Sequence, residues 1–599
     1  MRYEIERQHT YRVNDEGERE LLANFEAEIA EETRYVDGVS SKTVLIITGR
    51  QMGPIEDRPV ELTPVRVPAE DFAGLGWVMP NWGVRAVIRP GSGIKEDLRT
   101  AIQLRSAPIV MTIYKHLGWT EINGKKAFLH AGGAMKENGN DKSIRVQLPL
   151  ELSRYNLDAE GETADALKTA LELLKIGPKE VTWCLLAASI APLFGPVDFG
   201  IHLSGRTGTF KSEVMSLFQS LYGSGMDARH LPGSWSSTAN ALEAQAFLAA
   251  NAAFVIDDFV PNGNSAQVRA YQQGADKIIR AQGNQAGRAR LTDVSDLQQT
   301  MYPRGIILST GEDTPEGHSV RARMLILELS PGDIELKQLT KVQGMRKILP
   351  VIVGAIVRKL IEVPADITPR VEDLRNGYID IGHTRTPAML GRLVAVIEWF
   401  LEFVKGEGVI SDQVQKKMRN DAIQAIESAG KKQQSYLEEA DPVDMFTSAV
   451  RQVLATGLGH IRTLNGGIPL KAAVLGWTEE NASGAMPTFK SRGPSIGWVK
   501  WSDDEIFIDV VAGWNIIKKV MGSEMQLNKN TLFRRLKDAG LLKRTDDARQ
   551  RNTVRITAEV HPRNVLVLAA TELLQNQEIP NGEEEEERDG NNAGGNDDE

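Results

Sequence analysis

The stretch "GRTGTFKSE", Gly205–Glu213, decides how the chain is read. A loop of the form Gly-x-x-x-x-Gly-Lys-Ser/Thr wraps phosphates in backbone N–H groups, reaches their oxygens with its lysine and holds Mg²⁺ on the hydroxyl that follows. Gly205 and Gly208 supply the tight turns, Lys211 the cation and Ser212 the metal ligand. Thr207, Thr209 and Phe210 add N–H groups to the cradle. The following helix would present the positive end of its dipole at the same place. Phe210 departs from the pattern, because glycine normally precedes the lysine. Phenylalanine keeps the N–H, and Gly208 is expected to absorb the lost backbone freedom. A degenerate match can arise by chance, so context matters. An apolar run, "FGIHLSG", precedes the loop. In "SEVMSLFQSLYG" after it, Val214, Phe218 and Leu221 fall at helical spacing and Gly223 ends the helix.

Three further elements follow in order. "AAFVIDDF" reads as a buried strand delivering Asp257 and Asp258, 46 residues after Lys211. Asp257 suits a Mg²⁺ ligand and Asp258 a base that polarises water. The shorter aspartate at the second position predicts slow turnover. The plain alternative is two acids capping a strand at a turn. "RGIILSTGE" ends a third strand in Ser309 and Thr310, polar groups suited to sensing a terminal phosphate. "SVRARMLILEL" sets Arg321 and Arg323 just before a fourth strand. Either guanidinium could reach a neighbouring subunit's phosphate or form a surface salt bridge.

Working outward, 599 residues suggest several domains. The boundaries expected are a 1–105 α/β module, a 106–195 lead-in, a 196–335 nucleotide core, a 336–435 helical lid, a 436–510 connecting region, a 511–575 winged helix and a 576–599 acidic tail. Strands alternating with helices in the core predict a mostly parallel, doubly wound sheet. The single cysteine, Cys184, excludes an internal disulfide and a cysteine-based zinc site, which points to a reducing cytoplasm. Its expected place is a buried helix. "VTWCLLAASIAPLFGPV", Val181–Val197, is shorter than a membrane span and broken by Pro192, Gly195 and Pro196, so no membrane association is expected. Net charge is −10, of which residues 581–599 carry −8, leaving a nearly neutral body. The tail's composition predicts disorder, either as a solubilising end or as a competitor for basic surfaces.

The runs "GIHLSGRTGTFKS", "GSWSSTANALEAQAFLAANAAFVIDDF", "PRGIILSTGED" and "SVRARMLILEL" together resemble the helicase-like ATPase family catalogued as domain of unknown function 927. The upstream "YKHLGWTEINGKKAFLHAGGAM" is similar to that family's leading section, so the resemblance covers about residues 106–400. It implies an α/β fold with a P-loop AAA+ ATPase core and helical lid, related to minichromosome maintenance helicases. It further implies a homo-hexameric ring that uses ATP and Mg²⁺ to move along DNA during replication of a phage or mobile element. Carried over, Gly205, Gly208, Lys211 and Ser212 bind ATP, Asp257 and Asp258 are the acidic pair, and Arg323 is the finger. Thr310 or Ser309 is the first sensor, and Arg385 in "HTRTPAML" is a candidate second sensor. Phe210 is the departure.

In rings of the implied type, a hairpin after the acidic pair faces the channel. Here "IIRAQGNQAGRARLTD" offers Arg280, Arg288 and Arg290 for single-stranded DNA, with Gly283 and Gly287 permitting the turn; an ordinary solvated loop is the alternative. In "LNKNTLFRRLKDAGLLKRTDDARQRNTVRIT", Leu532, Leu536 and Leu541 set an apolar face, Gly540 ends a helix and "TVRIT" reads as a wing. Nine basic residues against three aspartates between Asn528 and Arg555 give a local +6. Lys529, Arg534, Arg535 and Lys543 could neutralise phosphates of a duplex or fork. Trp498 and Trp501 are expected in a core rather than stacked on bases. Residues 1–105 hold no recognisable primase site, which leaves any primase to a separate partner. Two alternatives stay open: a DNA-binding replication scaffold with a crippled nucleotide site, and a DNA-remodelling or defence ATPase with the same site.

Overall fold

The computed structural model describes residues 2–53, 58–287, 290–291, 297–298, 300–381, 384–480, 488–521 and 528–574. They form a mixed α/β architecture of two compact units. The first comprises residues 1–314 and 323–430, the second 315–322 and 431–599.

The first unit opens with a strand-rich region. Phe25–Val36, Ser41–Met52 and Pro59–Pro68 pair antiparallel, and Ile109–Tyr114 joins Phe25–Val36 in parallel. The expected boundary at residue 105 therefore runs through one sheet. A four-stranded sheet follows between Gly118 and Asp141. There Asn123 and Gly124, both at positive φ, turn "INGKKA" as a hairpin requires. The apolar run "WGVRAVIRPG", Trp82–Gly91, forms no strand; Ile88 makes a single bridge, to Ala23. Helix Lys179–Ile190 is buried from Val181 to Ile190, so it is apolar on every side. Cys184 lies inside it, and burial pushes its thiol up. Among the described residues no helix is long and apolar enough to cross a membrane.

The core that positions the site is a five-stranded parallel sheet. Its elements are β1 (Gly200–Gly205), α1 (Lys211–Gln219), β2 (Gly233–Ser234), α2 (Ala239–Leu248), β3 (Ala253–Phe259), α3 (Ser265–Asn284), β4 (Ile306–Gly311) and β5 (Met324–Leu329). The spatial order is β2-β3-β4-β1-β5. β1 and β4 are buried along almost their whole length, as continuous apolar runs covered on both faces predict. β4 sits between β1 and β3, so the three C-terminal ends open side by side, where α/β sheets bind ligands.

Two half-buried or buried groups tie the strand-rich region to this sheet. Arg304, just before β4, donates to the Phe247 carbonyl at 2.6 Å and the Asp37 carbonyl at 2.7 Å and stacks on the Phe247 ring. His116 is 1% exposed; its Nδ1 meets the Leu117 carbonyl, while Nε2 has no hydrogen-bond partner among the described residues. Desolvation depresses His116 to about 4, with Arg304 adding to the shift and Asp37 opposing it.

The helices expected over 336–435 are present, including Leu349–Glu362 and Thr386–Gly406. In the second unit, the expected division at residue 510 also cuts one sheet. Glu505–Asp509 pairs along its whole length with His561–Ala569, and Ser495–Lys500, His460–Thr463, Leu542–Arg544 and Val554–Ala558 complete six strands. Helices Ala512–Met521 and Lys529–Asp538 pack on that shared core through Trp514, Ile517, Leu532, Phe533 and Leu536. Gly540 follows the second helix at φ +76, the left-handed geometry expected of a stop. Trp498 and Trp501 are buried.

Candidate nucleotide site

The loop after β1 turns through Gly205 and Gly208, the latter at φ +85 with open space where a Cβ would stand. Phe210 itself is at φ +63, ψ +21, the left-handed region, as the N-cap of α1. Gly208 therefore does not absorb the missing glycine's freedom; both positions carry positive φ. Phe210 holds this geometry while its side chain is 43% exposed. No side chain caps α1, so its first N–H groups, those of Lys211, Ser212 and Glu213, are left for a ligand. Thr209 is buried and its hydroxyl donates to the Arg206 carbonyl at 2.8 Å, fixing the loop from inside.

Lys211 folds back over the loop, with Nζ donating to the carbonyls of Gly205 at 2.7 Å and Arg206 at 2.9 Å. Desolvation lowers its ammonium, against the opposing fields of Glu312, Asp257 and Asp258, in that order. An ammonium resting on the loop's own carbonyls is within reach of an anion that the loop would hold.

One oxygen of Asp257 ties three elements together. Oδ1 accepts from Ser212 Oγ at 2.8 Å and from Thr310 Oγ1. Thr310 Oγ1 in turn accepts from the Asp258 N–H at 3.1 Å. The helix after the loop, the acidic strand and the sensor strand thus converge through their side chains. Ser212 and Asp257 are paired hard oxygen donors at a phosphate loop, a set that fits Mg²⁺. Among the described residues no cluster of three His, Cys, Asp or Glu residues offers another metal site.

Ser309 is not part of this convergence. It is fully buried, its Oγ lying 2.9 Å from His202 Nδ1 and accepting from Trp235 Nε1 at 2.8 Å. Successive strand residues face opposite sides, so Thr310 and Ser309 cannot both face the acids. Asp258 is exposed at φ +68.

The arginines lie elsewhere. The Arg323 carbonyl accepts from the Gly200 N–H at the start of β1, the end of the sheet opposite the loop. Six strand residues separate these ends by roughly 20 Å. There Arg323 Nη2 donates to Asn284 Oδ1 at 3.0 Å, and Arg385 Nη1 to the Gly283 carbonyl at 3.0 Å. Arg323 is lowered by desolvation, then by Arg385 and Arg280, with Asp276 opposing. Arg385, expected beside the nucleotide, is thus held at this opposite end. Arg321 belongs to the second unit, where it donates to the carbonyls of Pro315 at 3.2 Å and Tyr436 at 3.1 Å; it is not positioned as a projecting finger.

The expected turn at Gly283 is instead the last part of α3, a helix begun by an Asn264 capping box. A Cβ at Gly283 would lie 2.5 Å from Arg323 Cδ, so this glycine makes room for the arginine. Arg280 is paired with Asp276 at 2.6 Å. A short hairpin does follow, Arg290–Leu291 against Leu297–Gln298. Arg288, the Arg290 side chain and the acidic tail lie outside the described residues. In the second unit Lys529 donates to the Val510 carbonyl and Lys543 to Asp504 Oδ2 at 3.1 Å, whereas Arg534 is exposed and Arg535 partly so.

One residue of the site was not anticipated. Glu312, directly after β4, accepts a hydrogen bond from Thr207 Oγ1 in the middle of the loop. Its signal was present in "STGED", as an acid one residue beyond a glycine at a strand end.

A search of curated proteins gave no match. A solved structure described as "SCCmec type IV Cch - active helicase" is 15% identical, with 96% of this chain and 98% of that chain covered and a TM-score of 0.49. Residues 86–293, about a third of the chain and including the glycine loop and the acidic pair, match the family model described as Domain of unknown function (DUF927).

Proposed function

We propose that the chain is an ATP-dependent DNA helicase or translocase serving replication of a mobile genetic element or phage, acting in the cytoplasm as a homo-hexameric P-loop ATPase of AAA+ type. The observation that carries the nucleotide reading is the shared Asp257 oxygen, which joins Ser212 of the loop helix to Thr310 of the sensor strand. Ser212 and Asp257 would hold Mg²⁺, which would neutralise charge on the phosphates. Lys211 would leave the loop carbonyls for the phosphate oxygens. The ring rests on the motif resemblance; within it Arg323, at the end of the sheet opposite the loop, would act on a neighbour's ATP rather than on its own. DNA as the track rests on the motif resemblance and on the basic surfaces, with Arg288 and Arg290 in the channel and Arg534 and Arg535 on duplex or fork.

A second reading, a scaffold that binds nucleotide and hydrolyses it weakly, is favoured by the left-handed Phe210. Titration of ATP with and without Mg²⁺ separates the two. Lys211→Ala and Asp257→Ala should abolish DNA-stimulated ATPase activity and strand displacement on forked DNA; undiminished activity in both variants refutes the proposal.

A further inference from the structure

The site contains a carboxylate that neither the loop motif nor the acidic strand supplies. Glu312 leaves the end of β4, between the strand that ends in the phosphate loop and the strand that ends in the acids. Its N–H donates to the Phe259 carbonyl at 3.2 Å. Gly311 before it packs so closely that a Cβ would lie 2.6 Å from that carbonyl oxygen and 2.8 Å from Phe259 Cβ. The turn is therefore held against Phe259, and it delivers the exposed Glu312 carboxylate to Thr207. The other two acids have different surroundings. Asp257 already accepts from two hydroxyls at one oxygen. Asp258 is one methylene shorter, and its charge is also felt at Tyr271 on α3, whose hydroxyl donates to the Asp258 carbonyl at 3.2 Å.

We propose that Glu312 is the base of ATP hydrolysis at this site, with Thr207 as its positioning residue; this rests on the nucleotide reading above. Thr207 holds Oε1 and leaves Oε2 to accept from the attacking water. The water oxygen bonds to the γ-phosphorus, and the bond from that phosphorus to the β,γ-bridging oxygen breaks. The electron pair departs with ADP. The water's proton passes to Glu312, which releases it to solvent as inorganic phosphate leaves.

The test uses the full chain, with Glu312→Gln and Asp258→Asn side by side, measuring ATP turnover and ATP binding. Glu312→Gln should lower kcat by about 10²- to 10⁴-fold. Its Kd for ATP should stay equal or tighten, because a negative charge beside the phosphates is removed. Asp258→Asn should lower kcat less than Glu312→Gln. Thr207→Val should lower kcat without raising KM. The proposal is overturned if Glu312→Gln keeps kcat within tenfold of wild type, if Asp258→Asn loses more, or if Glu312→Gln no longer binds ATP, which would assign the residue to holding the loop. A wild-type chain that neither binds nor hydrolyses ATP overturns the nucleotide reading itself; the other three outcomes overturn Glu312 alone.

Discussion

Phe210 offers a backbone experiment whose sign is opposite to the usual one. An L-residue in the left-handed region costs about 1–2 kcal/mol, which glycine would recover. Glycine also widens the unfolded ensemble, a loss of about 0.4–1 kcal/mol. The ring is 43% exposed. Removing it therefore forfeits rather more than half of a fully buried phenylalanine, about 1–1.5 kcal/mol. These contributions nearly cancel, so Phe210→Gly should lie within about 1 kcal/mol of wild type. Phe210→Ala loses the same contacts and keeps the strain, so it should be the less stable variant by about 0.5–1 kcal/mol. Inside a helix the order is reversed, with alanine better than glycine by about 1 kcal/mol. Thermal and denaturant unfolding of the nucleotide-free chain measures the pair. Alanine at or above glycine in midpoint would refute the left-handed assignment. ATP titration adds a second check: Phe210→Gly retains the N–H and should bind at least as tightly as wild type.

Thr310→Val should lower hydrolysis by at least tenfold while leaving the fold intact. Ser309→Ala should do the converse, lowering stability by about 1–3 kcal/mol because His202 and Trp235 lose a buried partner, with a far smaller effect on turnover; both follow from paired melting and ATPase measurements. For His116 the folded value, about 4, lies below the ordinary 6.5. The unfolded chain thus takes up the proton first, and the neutral ring's contribution is complete above pH 6.5 and lost as pH falls toward 4. The slope is about 1.4 kcal/mol per pH unit, and the whole loss is roughly 3 kcal/mol. Unfolding of wild type and His116→Phe across this range should diverge by that amount, and parallel curves would refute it. On the second unit, Arg534→Ala should weaken DNA binding and reduce the salt slope by about 1, whereas Lys529→Ala should chiefly lower stability; binding at several salt concentrations distinguishes them.

The sheet was legible because parallel strands covered on both faces read as apolar runs, and two of the runs here lead into a glycine or an acidic pair, as "FGIHLSG" and "AAFVIDD" do. Loop, acids and sensor could be ordered along the chain, but the spatial order β2-β3-β4-β1-β5 is nowhere in that linear order. Glu312 was missed for this reason. An acid after a strand looks solvated until the strand is known to lie between the loop and the acidic pair. Gly283 misled in the opposite direction, since glycine usually marks a turn, yet here it is a helix position crowded by Arg323. Strand pairing continues across residues 105 and 510, where boundaries were expected, and long-range pairing of this kind cannot be read from the linear sequence.

Charge shows the same gap between counting and placement. The +6 between Asn528 and Arg555 treats every cation as available to phosphate. In the fold Lys529 is given to the Val510 carbonyl beside the Trp514 and Phe533 rings, with desolvation lowering its ammonium. Lys543 is given to Asp504, and Arg544 is paired at 2.6 Å with the buried Glu505. Each phosphate contact contributes about −0.9 to the dependence of log K on log salt. Three cations spent on the protein's own oxygens therefore make that dependence shallower by about 2.7 than the sequence count implies. Arg534 and Arg535 stand on a helix whose other face, Leu532, Phe533 and Leu536, is locked in the core. Under the DNA reading proposed above, a helix fixed in this way would present Arg534 and Arg535 at set positions, which favours orienting a strand over gripping it.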